Sequence, residues 1–100
     1  MRFEHAFESE LWLYQSDKAA WHFLSLPKDV SADIRMLSKG MTNGFGSLRV
    51  AARIGEVRWT TSIFPSAESK SYMLPVKADV RKKAGIAAGD SVSVIVEFGI

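Results

Sequence analysis

The chain has no cysteine among its 100 residues, which removes disulfides, a zinc knuckle and a thiolate nucleophile, and fits a reducing compartment. It also lacks any run near the ~18 to 20 apolar residues that a bilayer crossing by helix needs. The opening Met1-Arg2-Phe3-Glu4-His5 alternates like a strand and has no signal-peptide core. A cytoplasmic protein with no membrane partner is therefore expected. Charge of one sign is scarce as well. Thirteen basic against eleven acidic side chains leave a net charge of only +2, short of the dense basic stripe of a dedicated nucleic-acid binder.

The two histidines, His5 and His22, stand in no H-x-x-x-H, H-E-x-x-H or nucleophile-elbow context. No metal, no cofactor and no catalytic residue is assigned on this reading. Glu4, Glu8 and Glu10 share one strand face, but nothing apolar between them would raise a carboxyl pKa for acid–base work. A solvated exterior accounts for them.

What is present reads as one folded unit over residues 1–100. Hydrophobic residues at 47% and charged residues at 24% are ordinary globular usage, enough for a single core. The charge is unevenly spread: residues 1–10 carry three glutamates and one arginine, whereas most arginine and lysine falls between residues 49 and 83.

Residues 3–15 alternate as a long strand, with a two-sided apolar stretch at Leu11, Trp12, Leu13 and Tyr14. A turn at 15–18 leads to a returning strand over 19–26. Pro27 closes that strand and suits a helix start. Val30, Ile34 and Leu37 then form one apolar stripe over 28–38, and Gly40 is the expected stop.

The clearest hairpin joins 47–54 to 57–64 through Gly55-Glu56. A two-residue turn there sets Ile54 opposite Val57, Ala52 opposite Trp59, Val50 opposite Thr61 and Leu48 opposite Ile63, all on one face. The other face holds Arg53 across from Arg58, Ala51 from Thr60 and Arg49 from Ser62. Facing arginines repel in isolation, and such an arrangement is also how an anion site is built. Pro65 through Lys70 is expected to break the ladder as a polar loop. Pro75 places the strand 71–76 at an edge or a bulge. Residues 79–84 then form a short basic helix with Val80 and Ala84 inward and Arg81, Lys82 and Lys83 outward. Gly85 stops it, Gly89-Asp90 turns, and Val92, Val94, Val96 and Phe98 supply the last strand. Six to seven strands and two short helices in a mainly β chain predict a closed or nearly closed barrel.

The segments FESELW (7–12), WHFLSLPKDV (21–30), GFGSLRV (44–50), RWTTSIFP (58–65), YMLPVK (72–77) and VRKKAGIAAGD (80–90) resemble the bacterial and archaeal domain-of-unknown-function family DUF1905, in order and over nearly the whole chain. The resemblance implies a small closed β-barrel with two helical insertions and no assigned activity. Residues 74–94 are also similar to the Gly-Asp box of cradle-loop barrels, which include AbrB-like DNA-binding regulators. That likeness is one motif long and speaks to fold.

The set that points toward binding is cationic. Arg49, Arg58, Lys77 and Arg81 form an expected rim, with Trp59 as a ring beside it. Gly46 and Ser47 supply backbone amides that can meet a phosphate or carboxylate. The plainer reading of Gly44-Phe45-Gly46-Ser47 is a pair of turn glycines, and that of Trp12, Trp21 and Trp59 is core. The expected function is a non-enzymatic binding module for an anionic small molecule or an acidic protein segment. The alternative is a nucleic-acid binder using the basic helix and the arginine hairpin. The sequence specifies no oligomeric state.

Overall fold

Apolar and polar residues alternate through most of the chain, and in the structure, a computed structural model describing residues 1–99, each such stretch is a strand. The elements are β1 (Arg2–Gln15), β2 (Ala20–Ser25), α1 (Lys28–Leu37), a 3-10 turn (Gly44–Gly46), β3 (Leu48–Ile54), β4 (Val57–Ser66), β5 (Ser71–Pro75), α2 (Ala78–Ala84) and β6 (Ser91–Gly99). The six strands close into an antiparallel barrel in the order β1-β2-β5-β4-β3-β6. Closure leaves no full-length edge strand to pair with another chain.

Two long strands make the corners. β1 pairs with β6 through Arg2–Glu10 and with β2 through Leu11–Gln15. β4 pairs with β3 through Val57–Ile63 and with β5 through Phe64–Ser66. The change of partner explains why the sequence of β1 turns two-sided at Leu11: Leu11 is buried, while Leu13 and Tyr14 at the far end stand exposed on opposite faces.

The β3–β4 hairpin has the register its turn dictates. Ile54 pairs with Val57, Ala52 with Trp59, Val50 with Thr61 and Leu48 with Ile63, while Arg53 pairs with Arg58 on the other face. Gly55 takes φ +57, a left-handed conformation that costs glycine little. Inside the barrel the apolar residues of every strand meet in one core that includes Leu11, Leu24, Val50, Ile63, Leu74 and Val96. Burying such side chains stabilises the fold by roughly 1.5–3 kcal/mol each before entropy is counted.

The segment after β5 follows its sequence closely. Val80 is buried, and Ala84 and Ile86 pack on the core. Gly85 at φ +68 ends α2, with its N–H bonding Lys82 O (3.3 Å) and the Ile86 N–H bonding Arg81 O (3.0 Å), which satisfies carbonyls the helix end would leave unpaired. Asp90 Oδ2 accepts the Ala87 N–H (2.8 Å). The Gly89 N–H donates to Leu11 O, and the Leu11 N–H donates to Asp90 O. The Gly-Asp turn is thereby sewn to β1 where that strand changes partner.

Two local expectations change. Pro65 lies within β4, opposite Tyr72, and the loop is only residues 67–70. The ring is tolerated because no ladder bond is required of it. The Tyr72 N–H goes to Ser31 Oγ and Tyr72 O accepts from the Leu26 N–H, while the open side of Pro65 faces Gly46, where β3 has not yet begun. Helix α1 stops at Leu37, capped by a Ser38 N–H to Ile34 O bond, and Gly40 serves the turn beyond it. Among the described residues the strands number six, within the expected six to seven.

Among the described residues, no helix is long and apolar enough to cross a membrane.

Candidate functional site

The ladder between β4 and β5 is short. It holds only from Phe64 opposite Met73 to Ser66 opposite Ser71, and beyond Met73 the two strands part. Pro75 sits in the gap, with no N–H to offer β4, while it still pairs with Phe23 of β2. The next residue keeps to the same side, its Val76 N–H bonding His22 O (2.9 Å). Residue Lys77 then opens α2, which packs across the gap against β4.

A groove of about 510 Å³ results, lined by Trp21 and His22 of β2, Arg49 of β3, Ser62 and Phe64 of β4, and Lys77 and Arg81 around α2. That volume lies in the range of small-molecule sites. Its charge is one-sided, since the three cationic groups Arg49, Lys77 and Arg81 line it together with no aspartate or glutamate.

Arg81 is held in place instead of waving into water. Its Nη1 donates to Val76 O at 2.7 Å, so the side chain folds back along the helix and is half-buried, whereas Lys82 and Lys83 are exposed. Arg49 Nη2 donates to Thr60 Oγ1 at 3.4 Å. His22 sits among these cations. Burial and the Arg81 guanidinium both disfavour its charged form and hold its pKa below the ordinary 6.5. An anion entering the groove meets the anchored Arg81, the exposed Arg49 and Lys77, and an imidazole whose charged form is disfavoured.

The remaining expected site residues lie elsewhere. Arg58 belongs to a different, smaller notch of about 70 Å³ at the turn end of the hairpin, shared with Arg53, Glu4 and Glu97. Arg49 and Arg53 are four residues apart on one strand, about 13 Å at the usual rise, and that end of β3 pairs with β6, which carries Glu97 opposite Ala51. One outer face is therefore split into a notch of mixed charge and a cationic groove. Trp59 points inward with the core face of β4 and is half-buried against the core, its Nε1 buried without a partner. Gly46 lines a separate depression with Arg35, Lys39 and Pro65. Ser47 is buried and its Oγ donates to Gly44 O (3.2 Å).

Trp21, read from the sequence as core, is instead 51% exposed. It shares the outer face of β2 with Phe23, the two rings stacked at 6.1 Å and 5° apart. Trp12 tilts against Phe23 at 5.3 Å, and its Nε1 donates to Ser25 Oγ (2.9 Å). With Tyr14, Phe64 and Met73 these rings line a second depression of about 690 Å³. It joins the cationic groove at Trp21 and Phe64.

A histidine–carboxylate pair also escapes sequence reasoning. His5 Nε2 lies 2.6 Å from Asp33 Oδ2, across 28 residues. The carboxylate can only accept, so Nε2 carries the hydrogen, and Nδ1 is buried without a partner. The ring stacks on Phe98. The pair fastens α1 to β1, and no local spacing could have announced it. Among the described residues, no group of three or more histidine, cysteine, aspartate or glutamate side chains is placed to hold a metal ion.

A family model described as Domain of unknown function (DUF1905) matches residues 7–96. No curated protein matches the chain.

Proposed function

The chain belongs to the DUF1905 family, and we propose that this member is a non-enzymatic binding module whose groove between β4, β5 and α2 holds an anionic small molecule or an acidic segment of a partner protein. One observation carries the reading: Arg49, Lys77 and Arg81 converge on a groove lined by no carboxylate, whereas Arg53 and Arg58 share theirs with Glu4 and Glu97. Three cations with no internal counterion repel one another, and an anion relieves that repulsion. Arg81 is half-buried and Arg49 and Lys77 are exposed, so the contact to Arg81 gains most relative to open water, and guanidinium groups suit carboxylate and phosphate geometry.

The test is a thermal-shift series with sulfate, pyrophosphate and a poly-glutamate peptide. Ligands that bind the folded state raise the melting temperature with concentration. The increase should disappear in Arg49→Ala and Arg81→Ala and survive in Arg58→Ala. No shift with any anion, or loss in Arg58→Ala alone, overturns the reading.

A nucleic-acid role draws support only from the exposed Lys82 and Lys83 beside the groove. It would show as affinity falling steeply with salt and lost on charge reversal of those two lysines.

A further inference from the structure

The cationic groove does not end at its charges. At Trp21 and Phe64 it opens into the aromatic trough, whose rings are unusually accessible: Trp21 is 51%, Tyr14 49% and Phe64 41% exposed. Exposed aromatic surface gathered on one sheet face marks a binding surface more often than chance exposure does. The two halves differ in charge. The groove carries three cations, while the trough carries no lysine or arginine and one carboxylate, Glu68.

We infer that the ligand is a nucleoside-monophosphate-type small molecule, with its phosphate held by Arg49, Lys77 and Arg81 and its planar base stacked on Trp21. This rests on the anion-binding reading above and names the ligand class for the same site. A phosphomonoester carries close to two negative charges at neutral pH, which matches three converging cations better than a single carboxylate does. The indole of Trp21 stands at the junction, already parallel to Phe23, so its exposed face offers a preformed stacking platform. Phe64 closes the junction from the β4 side.

The same charge division argues against a polymer. A nucleic-acid strand presents a phosphate at every nucleotide and needs cations spaced along its path, and the trough supplies none. An anionic head and an aromatic body fit the two halves in one orientation only.

The experiment is calorimetric titration of the protein with AMP, ribose 5-phosphate, adenosine and a single-stranded oligodeoxyadenylate, with the Trp21 indole N–H followed by NMR. AMP should bind about 5- to 140-fold more tightly than ribose 5-phosphate, the gain that base–aromatic stacking supplies, and should shift the Trp21 indole resonance. Trp21→Ala should erase that preference, so that AMP binds no more tightly than ribose 5-phosphate, and Trp21→Phe should restore part of it. The exposed position of Trp21 lets both variants fold, which a thermal melt checks.

Equal affinity for AMP and ribose 5-phosphate overturns the base-stacking inference and leaves the anion site standing. Failure of both phosphates to bind overturns the nucleotide inference, and the sulfate, pyrophosphate and poly-glutamate series then decides the anion reading separately. Tighter binding of the oligonucleotide with a steep salt slope means a polymer occupies the trough, and the single-headed ligand is wrong.

Discussion

Arg53 and Arg58 lie directly opposite each other across the β3–β4 hairpin, and both line the notch that holds the carboxylates of Glu4 and Glu97. A pair that is repulsive within its own hairpin thus shares its notch with carboxylates from the neighbouring strands, because β3 also pairs with β6 and β6 with β1. Glu97 has a further cation in Arg2, 3.4 Å away. Replacing Glu97 with Gln should lower stability by no more than about 1 kcal/mol, since partly exposed ion pairs are worth little. The loss should shrink in high salt. Denaturant melts at low and high ionic strength check this, and the anion affinity of the distant groove should not change.

His22 makes stability depend on pH in a defined direction. Its folded-state pKa is held below 6.5 by burial and by Arg81, with Lys77 and Arg49 lining the same groove. The unfolded chain therefore binds the proton more readily than the folded one, so stability present above the unfolded pKa is lost as pH falls through it. The melting temperature should drop between pH 7.5 and 5.5, and His22→Gln should flatten that drop. Saturating sulfate should raise the NMR titration midpoint of His22, because an anion beside the ring favours imidazolium.

Breaking the His5–Asp33 pair should cost different amounts from its two ends. Asp33→Ala leaves a largely buried imidazole, its side chain 14% exposed, with neither nitrogen bonded, a loss of roughly 1–3 kcal/mol. His5→Phe removes both buried nitrogens, keeps a ring against Phe98 and leaves Asp33, half-exposed, to water. It should cost well under half as much. Urea denaturation of the two variants gives the comparison.

The Gly85 stop is a backbone requirement. Nothing lies within 4 Å of where a Cβ would stand, so Gly85→Ala meets no clash, only the left-handed conformation at φ +68. The expected loss is about 1 kcal/mol, with Gly85→Asn milder. Equal melting temperatures for all three proteins would contradict this.

What the sequence made legible was local. The turn Gly55-Glu56 fixed the register of β3 and β4, because a one-residue slip would have carried Val50, Ala52 and Ile54 to the solvent side. The helix stop at Gly85 and the turn at Gly89-Asp90 were equally readable, since each depends on backbone chemistry within a few residues. Contacts set by barrel closure were not. Nothing near Arg58 indicates that Glu4 and Glu97 come to lie beside it, and nothing near His5 indicates Asp33.

Proline was misread at position 65 for a related reason. Whether a strand tolerates it depends on which neighbour requires its N–H, and that neighbour is absent because β3 begins later. Trp21 looked like core because its strand alternates. Alternation separates the faces without saying which is inside, and Leu24 and His22 took the inward side. The cationic groove itself depends on β4 and β5 parting beyond Met73, which only Pro75 hinted at.

The most direct test of the anion groove is amide and side-chain NMR chemical-shift mapping of the protein titrated with pyrophosphate. The account predicts that shifts concentrate at His22, Arg49 and Lys77 through Arg81, saturate together, and leave Arg53 and Arg58 unmoved. Saturable shifts centred on Arg53 and Arg58, with the groove residues silent, would contradict it.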